Sequence, residues 1–436
     1  MRDVLSRLIE EFHERELPEP TPREAAMPQV PGKATAVVGM RRAGKTWFCY
    51  QHMRELLHKG IPKERLLYLN FEDDRLLPFS VRDFQAILDV YFSKFPDFKT
   101  ERCFLFLDEA QRIEGWESFV RRVLDTENIA VYVTGSSSKL LSTEIATSLR
   151  GRSVTTEIFP FSFAEALKFH RVALETPPRF GAKTRAILQN RMAQYLRVGG
   201  FPEVQGLDDE LRRQVSRNSL DVAVLRDVLE RHRVASPLAL RALLRQVMTS
   251  PATRLSVNKL YNSLRSQGIP CTKNRLYEYM DHLNDAFVVF RAPIHSRSER
   301  VRRVNPSKVY AIDTGLLEAM AFHLTEDRGA LLENLIYLQL RRQGIPPEYY
   351  VTREGGEVDF AMLSGPKGER ALLQVCWSLE DPDTREREAS LLTAMKELKI
   401  RRGTIVTWMD EESTRDRIEV VPAWKWLVQS AIGAVR

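Results

Sequence analysis

The chain has 436 residues, 43% of them hydrophobic and 28% charged, and a formal net charge of +7. That length predicts several domains, and that composition excludes a disordered chain. No apolar run reaches the ~18 residues of a membrane helix and residues 1–16 are too charged for a signal peptide, so a cytoplasmic protein with no membrane partner is expected.

Val4, Leu5, Leu8, Ile9 and Phe12 fall at helical spacing, which predicts a short amphipathic helix docked on its own domain. Pro18, Pro20, Pro22, Pro28 and Pro31 then make 17–32 an extended connector, because proline fixes the backbone and forbids helix. From Ala34 strands and helices alternate: strands at 34–38, 65–71, 103–107 and 130–133, helices at 45–59, 81–92 and 118–125. Continuous apolar strands without period-two polarity predict a parallel sheet covered on both faces, in a domain spanning 33–170. A helical segment follows at 171–250. Two short helices, 256–267 and 272–283, each open on a capping residue and are separated by Gly268-Ile269-Pro270. With the strand and charged stretch after them they form a segment 251–312, and a second α/β domain is expected over 313–436. The four cysteines, Cys49, Cys103, Cys271 and Cys376, lie far apart, which points to a reducing compartment and to neither zinc nor disulfides.

The nucleotide chemistry is concentrated in Gly39-Met40-Arg41-Arg42-Ala43-Gly44-Lys45-Thr46, which fits G-x-x-x-x-G-K-[ST] after a buried strand and before a helix. The glycines let backbone N–H groups face phosphates, and the helix N-terminus adds partial positive charge. Gly39, Arg41, Arg42, Ala43, Gly44, Lys45, Thr46 and Trp47 are therefore the expected ATP-binding set. Lys45 is expected to reach the β- and γ-phosphates, and Thr46 to ligate Mg²⁺. The strand Phe104-Leu105-Phe106-Leu107 ends in Asp108 and Glu109, expected to hold the magnesium shell and to polarise the attacking water. At the tip of the 130–133 strand, Ser136 is a candidate contact to the γ-phosphate, with a Gly-Ser turn needing no ligand as the alternative. Arg150 and Arg152 are candidates for an arginine supplied across a subunit boundary, against the plainer reading of surface arginines.

The runs GMRRAGKT, FLFLDEAQRIEGWESFVRRVLD, VTGSSSKLL, SLRGRS and IFPFSFAEAL resemble the AAA-type ATPase of archaeal and bacterial proteins joined to a C-terminal region of formerly unknown function. YLRVGGFPEV, KVYAIDTGLL, ENLIYLQL and GGEVDF resemble that C-terminal region, so the resemblance covers nearly the whole chain past residue 30. It implies an α/β fold class: a P-loop AAA-like parallel-sheet ATPase domain, a helical and winged-helix middle, and a restriction-endonuclease-like α/β C-terminal domain.

On the second helix of the 251–312 segment, Leu276, Tyr279 and Leu283 read as core, which leaves Lys273, Asn274 and Arg275 toward solvent. The stretch 291–308 carries Arg297, Arg300, Arg302, Arg303 and Lys308 against one acid, Glu299, and reads as a cationic hairpin suited to phosphate contacts. A protein-docking role for the same module stays open. In the last domain Glu333 and Asp359 match the first two acids of a PD-D/E-x-K nuclease. Gln374 and Cys376 stand where that resemblance implies an acid and a lysine, which predicts an inactive nuclease fold.

The combined expectation is an ATP- and Mg²⁺-dependent, homo-oligomeric motor, with a hexameric ring as one form, that remodels or translocates on duplex or branched DNA. The alternative is a nucleotide-gated switch that binds proteins. An ATP-driven nuclease is the reading least supported by Gln374 and Cys376.

Overall fold

The computed structural model describes residues 1–135, 149, 151–175, 178–320, 328–363, 370–415 and 417–433. The chain divides into two compact units, Met1–Phe159 and Pro160–Arg436. Residues 1–32 belong to the first of these units.

In the first unit five parallel strands, β1 (Ala34–Val38), β2 (Leu66–Asn70), β3 (Cys103–Asp108), β4 (Ile129–Gly135) and β5 (Ser153–Glu157), lie in the order β2-β3-β4-β1-β5. Every residue of β1 and β3 is buried, as apolar strands between two helical layers must be. The helices Lys45–His58, Phe84–Lys94 and Trp116–Thr126 connect them. The helix Arg2–Glu14 buries Leu5, Ile9 and Phe12, and Phe12 joins the core that contains Phe48, Tyr68 and Phe106. The proline-rich connector contains neither helix nor strand, and side chains tie it to the rest of the unit. Arg23 donates to the carbonyls of Ala43 (2.8 Å) and Phe159, and Gln29 donates to the Tyr132 hydroxyl at 2.9 Å.

The second unit opens with the helices Phe163–Phe169, Ala182–Val198, Asp209–Val224 and Pro237–Thr249. A three-stranded antiparallel sheet follows, formed by β6 (Thr253–Arg254), β7 (Val289–Ala292) and β8 (Lys308–Ala311) in the order β6-β8-β7. Between β6 and β7 lie the helices Val257–Ser266 and Lys273–Asp285, capped by the Ser256 and Thr272 hydroxyls that the sequence singles out. The connection from β7 to β8 is not a hairpin: it contains the helix Glu299–Val304, capped by Ser298. Ser298 accepts from Val301 N and gives this charged stretch a helical start, which a reading by charge alone overlooks.

The last third is a six-stranded mixed sheet, β13-β14-β12-β11-β10-β9, with β9 (Glu348–Val351), β10 (Glu357–Met362), β11 (Ala371–Val375), β12 (Gly403–Thr407), β13 (Glu412–Arg415) and β14 (Ile418–Pro422). The helices Arg328–Arg342, Thr384–Leu398 and Ala423–Gly433 complete it. One buried junction ties distant segments of this unit. Asp313 accepts from the backbone N–H of Gly200 (2.6 Å) and of Leu316 (3.1 Å). A Cβ on Gly199 would meet Asp313 Oδ1 at 2.0 Å, so only glycine fits that turn. Burial pushes the Asp313 carboxyl up to about 6, against the backbone donors that favour its charged form.

Candidate functional site

The order of the first sheet explains its chemistry. Strand β4 lies between β1 and β3, so the C-terminal tips of all three reach the same crevice, where parallel α/β sheets hold their ligands. The loop after β1 has the backbone the motif requires. Arg42 takes φ +65° and Gly44 φ +99°, left-handed positions that turn successive N–H groups toward one concavity. Gly39 has a second reason to be glycine, since a Cβ there would meet the Ile158 carbonyl oxygen at 2.0 Å. Lys45 is buried, and its ammonium donates to the Gly39 and Met40 carbonyls at 3.1 and 3.2 Å. Arg41 pairs with Glu72 at 3.5 Å, while Arg42 and Trp47 are exposed.

Asp108 is the hub of the crevice. Its Oδ2 accepts from the Thr46 hydroxyl and from the Tyr68 hydroxyl, both at 2.8 Å, and its Oδ1 accepts from the Thr134 hydroxyl. Thr134 also accepts from the backbone N–H of Glu109 at 3.0 Å. Glu109 takes φ +54°, a strained conformation for a residue with a Cβ and one concentrated at functional sites. Its carboxylate accepts from Gln111 Nε2 at 2.5 Å and lies 3.9 Å from the Lys45 ammonium. Burial raises the Glu109 carboxyl above the ordinary range, with Lys45 opposing. A hydroxyl paired with a carboxylate beside a lysine-bearing anion loop is a hard-oxygen set that fits Mg²⁺ and a polyphosphate.

The structure thus brings Lys45, Thr46, Asp108 and Glu109 together as the sequence groups them. It adds Tyr68, Gln111 and Thr134, which sequence reasoning missed. The strand tip after β4 was the right place to look, but the residue in contact is Thr134, while Ser136 and Arg150 lie outside the described residues. Arg152 is half exposed and paired with Asp125.

In the second unit Lys273, Asn274 and Arg275 are exposed on the helix Lys273–Asp285, as expected, and the Lys273 ammonium lies over the Tyr261 ring. Arg297, Arg300 and Arg303 are exposed too. Two members of the expected cationic stretch differ. Arg302 is bonded to Glu348 at 2.6 Å, and Lys308 is buried, 3% exposed, among carboxylates. Glu333 and Asp359 do meet, and Gln374 is buried with its Oε1 accepting from Asp359 N at 3.3 Å. Burial pushes the Cys376 thiol up to about 11, so it is neutral at physiological pH.

Residues 31–167 match the family described as an AAA domain, and residues 189–327 match a domain of unknown function, DUF8612. An uncharacterized protein of Methanocaldococcus jannaschii is 33% identical over 417 residues, covering 93% of this chain and 90% of its own length. An uncharacterized protein of Haemophilus influenzae is 28% identical over 400 residues, covering 90% of this chain and 94% of its own. Among solved structures, a Walker-type ATPase of Pyrococcus abyssi is similar over 73% of this chain and 95% of that one, at 16% identity and a TM-score of 0.40. Cdc6p of Pyrobaculum aerophilum is similar over 75% of this chain and 93% of that one, at 14% identity and a TM-score of 0.24.

Proposed function

The chain belongs to the family of the Methanocaldococcus jannaschii relative, an AAA-domain family, and from that premise we propose that it hydrolyses ATP to remodel or move along DNA. The observation that carries the ATPase half is the hydrogen-bonded set Thr46–Asp108–Thr134–Glu109 at the tips of β1, β3 and β4. In this reading Thr46 and Asp108 would hold Mg²⁺, which would supply charge neutralisation at the phosphates of the bound nucleotide. Lys45 leaves the loop's own carbonyls to pair with phosphate oxygens. Glu109 accepts the proton of the attacking water, for which it must be ionised, and Thr134 fixes its backbone. Nucleotide binding therefore has to draw Lys45 away from the Gly39 and Met40 carbonyls.

The DNA half rests on the second unit. The paired helices on a three-stranded antiparallel sheet have the layout of a winged helix, with Lys273, Asn274 and Arg275 at the exposed start of the second helix. Arg297, Arg300 and Arg303 supply further cations for phosphate contacts. A homo-oligomer, in which Arg152 or Arg150 of one copy completes the site of another, is part of the same proposal.

The deciding experiment compares ATPase rates of the wild type and Glu109→Gln without DNA and with single strands, duplex or a four-way junction. Stimulation by one DNA form, lost in Glu109→Gln, is expected. Turnover that ignores DNA of every form refutes the DNA half, and wild-type turnover no faster than Glu109→Gln refutes the ATPase half.

A further inference from the structure

The acids that the sequence assigns to a nuclease-type metal cluster do not fit a metal ion in this chain. Lys308, on β8, places its ammonium nitrogen 2.8 Å from Glu333 Oε1, 2.7 Å from Glu357 Oε1 and 2.8 Å from Asp359 Oδ1. Three carboxylate oxygens from a helix and a strand thus converge on one point, as ligands converge on a hard cation. Here that point is a lysine nitrogen. Further donors engage these carboxylates. Asp359 Oδ2 accepts from Val375 N at 2.9 Å and from Arg387 at 3.3 Å. Glu333 Oε1 also accepts from the Tyr310 hydroxyl at 2.8 Å, and Glu357 Oε2 pairs with Arg254.

The charges close. When all are ionised, Glu333, Glu357 and Asp359 contribute three negative charges and Lys308, Arg387 and Arg254 three positive ones; burial pushes the Glu333 carboxyl up to about 7, with Lys308 opposing. Buried charges are tolerated when paired and hydrogen-bonded in this way, and an added divalent ion would leave the cluster with an uncompensated double charge. Burial pulls the Lys308 ammonium toward neutrality, but Asp359, Glu333 and Glu357 outweigh it and hold it charged.

We infer that Lys308 is the resident cation of this cluster, standing where a divalent ion would stand, and that removing its ammonium opens a divalent-cation site. The lysine also has a structural consequence. Lys308 and Arg254 come from β8 and β6 of the three-stranded sheet, whereas Glu357 and Asp359 come from β10 of the six-stranded one, so the cluster bonds the two sheets. Without the ammonium the set carries net charge −1 and three oxygens aimed at a vacated centre. Glu333 and Arg387 line a cleft of about 540 Å³, which gives an ion a path from solvent.

The test is an Mn²⁺ titration of the full chain without nucleotide, following the electron paramagnetic resonance signal of the free ion. Wild type, Lys308→Ala and Lys308→Ala/Asp359→Asn are compared, so that Mn²⁺ held elsewhere is common to all three. Lys308→Ala is expected to take up one further ion per chain, lost again in the double variant, and to melt at a higher temperature with Mn²⁺ than with a chelator. Wild type and the double variant should show a smaller shift than Lys308→Ala, no more than the Mn²⁺ held elsewhere produces. Should Lys308→Ala fail to fold in metal-free buffer, Mn²⁺ during refolding should restore it. The inference is overturned if Lys308→Ala takes up no more ions than the wild type, if the double variant keeps the extra ion, or if Mn²⁺ does not restore a variant that needs it.

Discussion

At the scale of single residues, Thr134 is the test of how the crevice is assembled. Its hydroxyl donates to Asp108 and accepts from Glu109 N, so Thr134→Val keeps shape while leaving a buried N–H and a buried carboxylate oxygen short of a partner. Such losses cost about 1–3 kcal/mol each. We expect a lower melting temperature and a kcat for ATP reduced by about 10- to 100-fold, of the order of a lost positioning contact, with KM changed far less. Glu109 gives a second prediction. Its carboxyl is held above the ordinary range by burial, and only the ionised form accepts a proton. Turnover should therefore rise with pH along an acid limb whose midpoint lies above 4.5, and a rate profile from pH 4 to 8 reads it directly. Lys45, Thr46, Asp108 and Glu109 are legible in the sequence because each pair is consecutive and the motif is local. Thr134, Tyr68 and Gln111 are not, because their contacts depend on β4 lying between β1 and β3. No short pattern records that strand order.

Among the elements, the N-terminal helix and the Asp313 junction show what periodicity reveals and what it hides. The spacing of Leu5, Ile9 and Phe12 announces an apolar stripe, and the docking on its own domain follows from it. That the stripe supports the nucleotide crevice does not follow. Phe12 packs on Tyr68 at 5.6 Å between ring centroids, and the Tyr68 hydroxyl bonds Asp108. Phe12→Ala should cost about 3–5 kcal/mol of stability in the first unit, read by chemical denaturation, and should lower ATP turnover in the protein that remains folded. Asp313 behaves oppositely to a salt-bridged acid. Its folded value of about 6 lies above the ordinary 3.8, so the folded state holds the proton more tightly. The associated stability, about 3 kcal/mol, is present at low pH and is lost as pH rises from about 4 through 6. Asp313→Asn should lose this pH-linked contribution and be less stable than the wild type at low pH, with the difference shrinking as pH rises. Its melting temperature should also fall less steeply than the wild type's between pH 4 and 6. The run Gly199-Gly200 reads as a turn in sequence, but what requires the glycines lies far off in the chain: the Asp313 carboxylate at Gly199 and the Phe161 backbone at Gly200.

Taken as a whole molecule, the proposed ATPase residues and the proposed DNA-contacting residues lie in different units. The first compact unit ends before Pro160, and beyond it the carbonyl of Phe161 accepts from Tyr195 at 2.6 Å and its N–H donates to Gly200. Apolar patterning through 158–169 is continuous and gives no sign of that change of allegiance. The net charge of +7 likewise does not say where a polyanion would bind. The exposed cations near the start of the helix Lys273–Asp285 do make that claim specific. If they contact phosphates, each contributes counterion release, and log affinity falls with log salt by about 0.9 per contact. Lys273→Ala/Arg275→Ala should therefore weaken binding of any duplex sequence and flatten the salt dependence by about 1.8 units. Both residues are exposed, so folding should be unaffected. Fluorescence anisotropy with a labelled duplex across a salt series measures the slope. A slope unchanged by the double substitution, in a protein that still binds DNA, would move the contact surface elsewhere, with Arg297, Arg300 and Arg303 the next cations to substitute. A fall in ATPase stimulation parallel to the fall in affinity would tie this surface of the second unit to turnover in the first.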